Sequence, residues 1–174
     1  MRERSRDKQR LEDIQNCISN VRQFINGVTF EAFVNDKMRY FAIMKNIEII
    51  GEAANMLTRN FRMDHPELPW RMIVGMRNVL THGYANVSDM KLWKTATEDL
   101  DSMYDIICHY LSGIDWNEWE QGEDEYSEMD NDAYKQAVET AQRLKAMGKL
   151  TDEQIAEATG LTMKEVEETK VGPF

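Results

Sequence analysis

Residues 41–61, FAIMKNIEIIGEAANMLTRNF, decide the fold class. Ile43, Ile47, Ile50, Ala54, Leu57 and Phe61 recur at steps of three and four, which gathers them into one apolar helical stripe. Lys45, Glu48, Glu52, Asn55 and Arg59 form a polar stripe on the same segment. Upstream, Leu11, Ile14, Ile18, Val21, Ile25 and Val28 repeat the apolar pattern. Downstream comes a loop, DHPELP, whose Pro69 suits the first turn of a helix starting near Trp70. Ile73, Met76 and Leu80 line that helix, and Gly83 stands where a left-handed C-terminal cap belongs. Trp93, Ala96, Leu100, Met103, Ile107 and Tyr110 make a fourth stripe. No convincing run alternates with the period of a strand. The pattern predicts an all-α protein, an antiparallel bundle of four to five helices over residues 1–114.

The net charge of −10 is unevenly spread. Residues 1–114 carry fifteen Lys/Arg and fifteen Asp/Glu, while residues 115–174 carry six against sixteen. The acidity therefore belongs to the tail, and the overall charge does not exclude nucleic acid as a partner of the bundle. Residues 115–131, DWNEWEQGEDEYSEMDN, read as a solvated acidic linker, with docking of its two tryptophans on the bundle as the other reading. A small helical appendage is expected over 132–174: one helix from about Asp132 to Met147, stopped by Gly148, then two capping-box patterns. Those patterns, Thr151 to Gln154 and Thr162 to Glu165, flank Gly160 and outline a helix–turn–helix with Leu150, Ile155, Leu161 and Val166 as its core. Glu165, Glu167 and Glu168 against Lys164 and Lys170 would repel phosphates, which argues against DNA binding by this appendage.

The first ten residues lack an apolar core, and no run approaches the roughly 20 apolar residues of a membrane span. Cys17 and Cys108 have no metal-like spacing and read as free thiols of a cytoplasmic protein. No CxxC, HExxH or Gly-rich phosphate loop occurs, so neither metal nor cofactor is expected.

One short stretch stands apart. GMRNVLTHGY, residues 75–84, crowds Arg77, Asn78, His82 and Tyr84 into one helix end. Arg71, Gly75, Asn78 and His82 share a stripe, with Arg77 about 140° from His82. A helix-capping role accounts for part of this, since a cation at a C-terminus gains about 0.3–1 kcal/mol. A binding site is the competing reading. Gly75, costing about 1 kcal/mol inside a helix, suggests a close approach there. Glu52, set among small and apolar neighbours, calls for a cationic partner such as Arg77. His65 is expected to be an exposed loop residue and His109 a packed or surface one.

Taken in order, FAIMKNIEIIGEAANML, PELPWRMIVG, GMRNVLTHGY and VSDMKLWKTATEDL resemble the HepT-like branch of the HEPN superfamily over roughly residues 7–114. The resemblance implies a helical bundle, commonly a homodimer in which two Arg-x4-His motifs face each other across a cleft. It implies a metal-independent ribonuclease toxin, whose antitoxin is a minimal nucleotidyltransferase that adenylylates the tyrosine of Arg-x4-His-x-Tyr. Those positions match Arg77, His82 and Tyr84, with Asn78 and Glu52 in support. The chemistry agrees: Arg77 can grip phosphate oxygens with two parallel N–H groups, and His82 ionises near neutral pH. Two residues depart from the family pattern, Gly83 and Ala85, where an acidic residue and an aromatic are common. A catalytically inactive module that binds a nucleotide or a protein partner is the alternative, as is occlusion of the cleft by the acidic tail.

Overall fold

The computed structural model describes residues 3–82, 87–122, 125–126, 129 and 131–169, without the side chains of Asn78, Thr81, His82 and Asn131. Its elements are α1 (Asp7–Ile25), α2 (Phe30–Asn35), α3 (Lys37–Met56), α4 (Arg59–Asp64), α5 (Trp70–His82), α6 (Asp89–Lys94) and α7 (Leu100–Gly113), followed by α8 (Trp116–Gln121), α9 (Asn131–Met147), α10 (Asp152–Thr159) and α11 (Met163–Glu168). Among the described residues there is no strand, so the all-α expectation holds. None of the helices described is long and apolar enough to cross a membrane.

α1, α3, α5 and the α6–α7 pair form the bundle, with α3 packed between α1 and α5. The predicted stripes meet at its centre: Leu11, Ile14, Ile18, Val21, Ile43, Ile47, Ile50, Ala54 and Ile107 have no exposed surface. A five-residue π turn, Thr95–Asp99, joins α6 to α7, so that Leu92, Ala96, Leu100 and Met103 all face inward. Trp93 is half-buried and packs on Phe30 and Phe33 of α2, a short helix that the stripes did not reveal.

The stripe from Ile43 to Phe61 crosses a break. α3 ends at Met56, and Thr58 caps α4, accepting from the Phe61 amide at 3.2 Å. Leu57 and Phe61 remain fully buried because their four-residue spacing keeps phase across the break. A buried carboxylate organises this junction. Asp7 accepts from the Thr58 amide at 2.9 Å, the Thr58 hydroxyl at 2.5 Å and the Trp119 indole at 3.2 Å, and it pairs with Arg10 at 3.1 Å. Asp7 is 0% exposed and Arg10 only 7%.

The solvated-linker expectation is corrected over Trp116–Gln121, which is α8 and packs on the bundle. Apolar rings outweigh the acidic side chains around them: Trp116 and Trp119 join Phe61 at 6.3 and 5.5 Å between ring centroids. His65 is likewise no free loop residue. Its ring stacks on Phe61 at 4.3 Å, and its carbonyl accepts from the Trp70 indole at 2.7 Å. His109 is exposed. Burial, together with the hydrogen bond that Tyr110 donates to Glu67 at 2.7 Å, holds the phenol above its ordinary range, and the same bond holds the Glu67 carboxyl below its own. Cys17 is buried and Cys108 half-buried, both free, with burial pushing the Cys17 thiol up.

The appendage has its own apolar cluster of Ala137, Ala141, Ile155, Leu161 and Val166. Both capping boxes form, and Gly160 takes the left-handed conformation (φ 72°) between α10 and α11. Leu150 is corrected: it is 41% exposed, and the alanines of α9 fill the place assigned to it. The appendage is fastened to α4. Asn60 accepts from the amides of Glu125 and Tyr126 at 2.7 and 2.9 Å, while Arg59 pairs with the buried Glu165 at 3.1 Å and lies 3.5 Å over the Tyr134 ring.

Candidate active site

α5 is amphipathic, burying Ile73 and Leu80 while exposing Met72 and Val79. Its depth against α3 is set by one glycine. A Cβ on Gly51 would lie 2.4 Å from the Arg77 Cβ and 3.1 Å from the Ile73 carbonyl oxygen, so only glycine permits this crossing. At Gly75, by contrast, a Cβ would meet nothing within 4 Å among the described residues, so the close approach expected there does not come from them. A helical glycine signals close approach, but the sequence does not say which of two glycines is approached.

The crossing puts Arg77 against Glu52, with Nε 3.0 Å from Oε2. The contact has the distance of an ion pair without the alignment of a hydrogen bond, since the buried Oε2 has no hydrogen-bond partner among the described residues. The two side chains are 31% and 47% exposed, open enough to meet a ligand. They stand at the rim of a groove of about 570 Å³ between α1 and α3, whose walls also carry Arg6, Lys45 and Glu48. No described residue of the appendage lines this groove.

His82 closes α5, about 7.5 Å along the axis from Arg77 at 1.5 Å per residue. Its side chain, and that of Asn78, lie outside the described residues, as do Gly83 with its expected capping role, Tyr84 and Ala85 entirely. Of the expected site residues, the structure thus joins Arg77 and Glu52 and sets the backbone of His82 on the same helix. Among the described residues no group of three His, Cys, Asp or Glu is arranged to hold a metal ion.

A family model described as "Ribonuclease HepT-like" matches residues 14–110, which run from α1 to the end of α7 and include both Arg77 and His82. The chain belongs to the ribonuclease HepT-like family. Within that family it is 42% identical over 96 residues to the "Probable ribonuclease HepT" of Thermococcus cleftensis, covering 55% of this chain and 87% of the relative. It is 37% identical over 90 residues to a "Putative RNase" of Methanocaldococcus jannaschii, covering 52% and 83%. A "Putative RNase" of Caldanaerobacter subterraneus is 37% identical over 79 residues, covering 45% and 70%. No solved structure matches the chain. The HepT-like match stops before α8, so the docked tryptophans and the appendage lie beyond it.

Proposed function

We propose that this HepT-like chain is an endoribonuclease that cleaves RNA by attack of a ribose 2′-OH on the adjacent phosphate, with Arg77 and His82 as its catalytic residues. The observation that carries this reading is Arg77, held by Glu52 at the rim of an open groove on the helix that His82 ends. The attack moves a proton off the 2′-OH and puts extra negative charge on a crowded phosphorane. His82 accepts that proton, or donates one to the departing 5′-oxygen. Arg77 neutralises the phosphorane oxygens, and the Glu52 carboxylate 3.0 Å from its Nε keeps the guanidinium beside the groove. The products are a 2′,3′-cyclic phosphate and a free 5′-OH. Asn78 positions His82 or the substrate.

A homodimer suits the exposed surface. Met38, Phe41, Ile49 and Met56 on α3 are 86, 54, 38 and 39% exposed, and Val79 on α5 is 55% exposed. These apolar side chains share the two helices that carry Glu52 and Arg77, and large exposed apolar patches mark interfaces. A second chain covering them would bring two Arg77–His82 sets to one cleft. The cognate partner in this reading is a minimal nucleotidyltransferase that attaches AMP to Tyr84, adding bulk and negative charge where RNA phosphate binds. Co-expression with such a partner should add the mass of AMP to the wild type and not to Tyr84→Phe; addition to both would rule out that residue.

The nuclease reading is tested by RNA cleavage in EDTA. Arg77→Ala is expected to lower the rate about 10²–10³-fold, the cost of losing one preorganised donor to developing charge. His82→Ala is expected to lower it about 10²–10⁴-fold. Unchanged rates in both folded variants would move the assignment to the inactive binding module.

A further inference from the structure

A second groove, of about 680 Å³, opens where the bundle meets the appendage. Its walls carry Arg59, Arg62 and Arg71 from the bundle and Lys135 from α9, against one carboxylate among the described residues, Asp132. Lys135 is one of only six basic side chains in residues 115–174, against sixteen acidic ones. Arg59 sets the wall, because its pairing with Glu165 and its stacking on Tyr134 hold α9 and α11 in place. Arg71 and Lys135 are exposed, face the groove from opposite walls and enter no ion pair among the described residues.

The two grooves adjoin. Arg71, Val74 and Arg77 follow at steps of three and are neighbours on the surface of α5. Val74 and Asn55 line this groove, whereas Arg77 and Glu52, the next positions along α5 and α3, line the other. Arg71 is about 9 Å along the helix axis from Arg77 at 1.5 Å per residue. Met63 and Met72, 49 and 74% exposed, add apolar surface beside the cations. A polyanion with accessible base faces covers both kinds of surface, which a duplex with its bases stacked inside does not.

We infer that this groove is a subsite for single-stranded RNA extending beyond the scissile linkage, in which Arg71 and Lys135 contact phosphates. The inference rests on the nuclease reading for the direction of the strand, and on the groove itself for binding. It gives the appendage a role: the bundle supplies the cleaving groups, and α9 supplies the far wall that grips the flanking nucleotides.

The test uses the full chain and a fluorescent oligouridylate of about twelve residues, 2′-O-methylated so that it binds but cannot be cleaved, with anisotropy read across salt concentrations. Arg71→Gln with Lys135→Gln is expected to weaken binding about 10-fold at low salt and to flatten the slope of log affinity against log salt by about 1.4, roughly 0.7 for each lost single-strand phosphate contact. Asp132→Asn is expected to tighten binding by about two- to threefold, a gain that misfolding would not produce. An unchanged affinity and slope in the double variant overturns the proposal, as does failure of the wild type to bind. Wild-type binding with the expected slope change, together with no cleavage of the ribose form, would keep the groove and refute the nuclease reading.

Discussion

Asp7→Ala lowers the unfolding free energy by about 3–5 kcal/mol, the usual cost of removing one partner from a buried charged pair. Arg10, 7% exposed, would lose the carboxylate 3.1 Å from its guanidinium. The buried Thr58 amide would lose its acceptor, adding an unmet desolvation cost of about 1–3 kcal/mol, and the half-buried Trp119 indole would lose its own. Partial relaxation keeps the total below the sum of these. The loss is also mechanical: Asp7 ties the start of α1 to the cap of α4 and to α8, so the variant should release Trp119. Urea unfolding followed by tryptophan fluorescence measures both effects. Asp7→Asn keeps the shape and part of the hydrogen bonding and should cost less. A loss below about 1 kcal/mol for Asp7→Ala would show that the buried network is not what holds these elements together.

Gly51→Ala reverses the normal sign of a glycine-to-alanine change. Inside an exposed helix this change stabilises by up to about 1 kcal/mol. Here the new Cβ would lie 2.4 Å from the Arg77 Cβ, against the roughly 3.5–4.0 Å of a comfortable carbon contact. α3 and α5 must separate by on the order of 1 Å, which costs about 1–3 kcal/mol as overpacking does. That movement also shifts Arg77 relative to Glu52, and a misplacement of this size can cost about 10²-fold in rate. Gly75→Ala is the comparison: it meets nothing among the described residues, so helix propensity should stabilise the monomer by about 0.5–1 kcal/mol. Thermal melts and RNA cleavage of both variants decide the matter. If Gly51→Ala were as stable and active as the wild type, the close crossing would not set the site.

The bundle was legible because burial imposes a period. Ile43, Ile47, Ile50 and Ala54 repeat in phase with the helix, and all four are fully buried. The pairing of Glu52 with Arg77 was legible too, but not its reason: the Glu52 side chain is 47% exposed rather than buried, and the close crossing at Gly51 brings Arg77 to it. Asp7 was not, because it sits in the charged run RERSRDKQR, where nothing separates the one buried acid from its solvated neighbours. Docking of Trp116 and Trp119 is one of two readings of the segment, and the solvated linker is the preferred one because the run is acidic and the docking partner, Phe61, lies more than fifty residues away in sequence. The groove at Arg71 and Lys135 joins two segments that no periodicity connects.

The most direct test of the central claim is the chemistry of the cut ends. End-labelled RNA is incubated with wild-type protein in EDTA, and the products are resolved by mass and by treatment with a phosphatase that spares cyclic phosphates. Fragments ending in 2′,3′-cyclic phosphate and beginning with 5′-OH, formed from RNA and not from its 2′-O-methyl counterpart, are the predicted result. Fragments with 3′-OH and 5′-phosphate ends, or cleavage of the 2′-O-methyl strand, would contradict attack by the ribose hydroxyl and the roles given to Arg77 and His82.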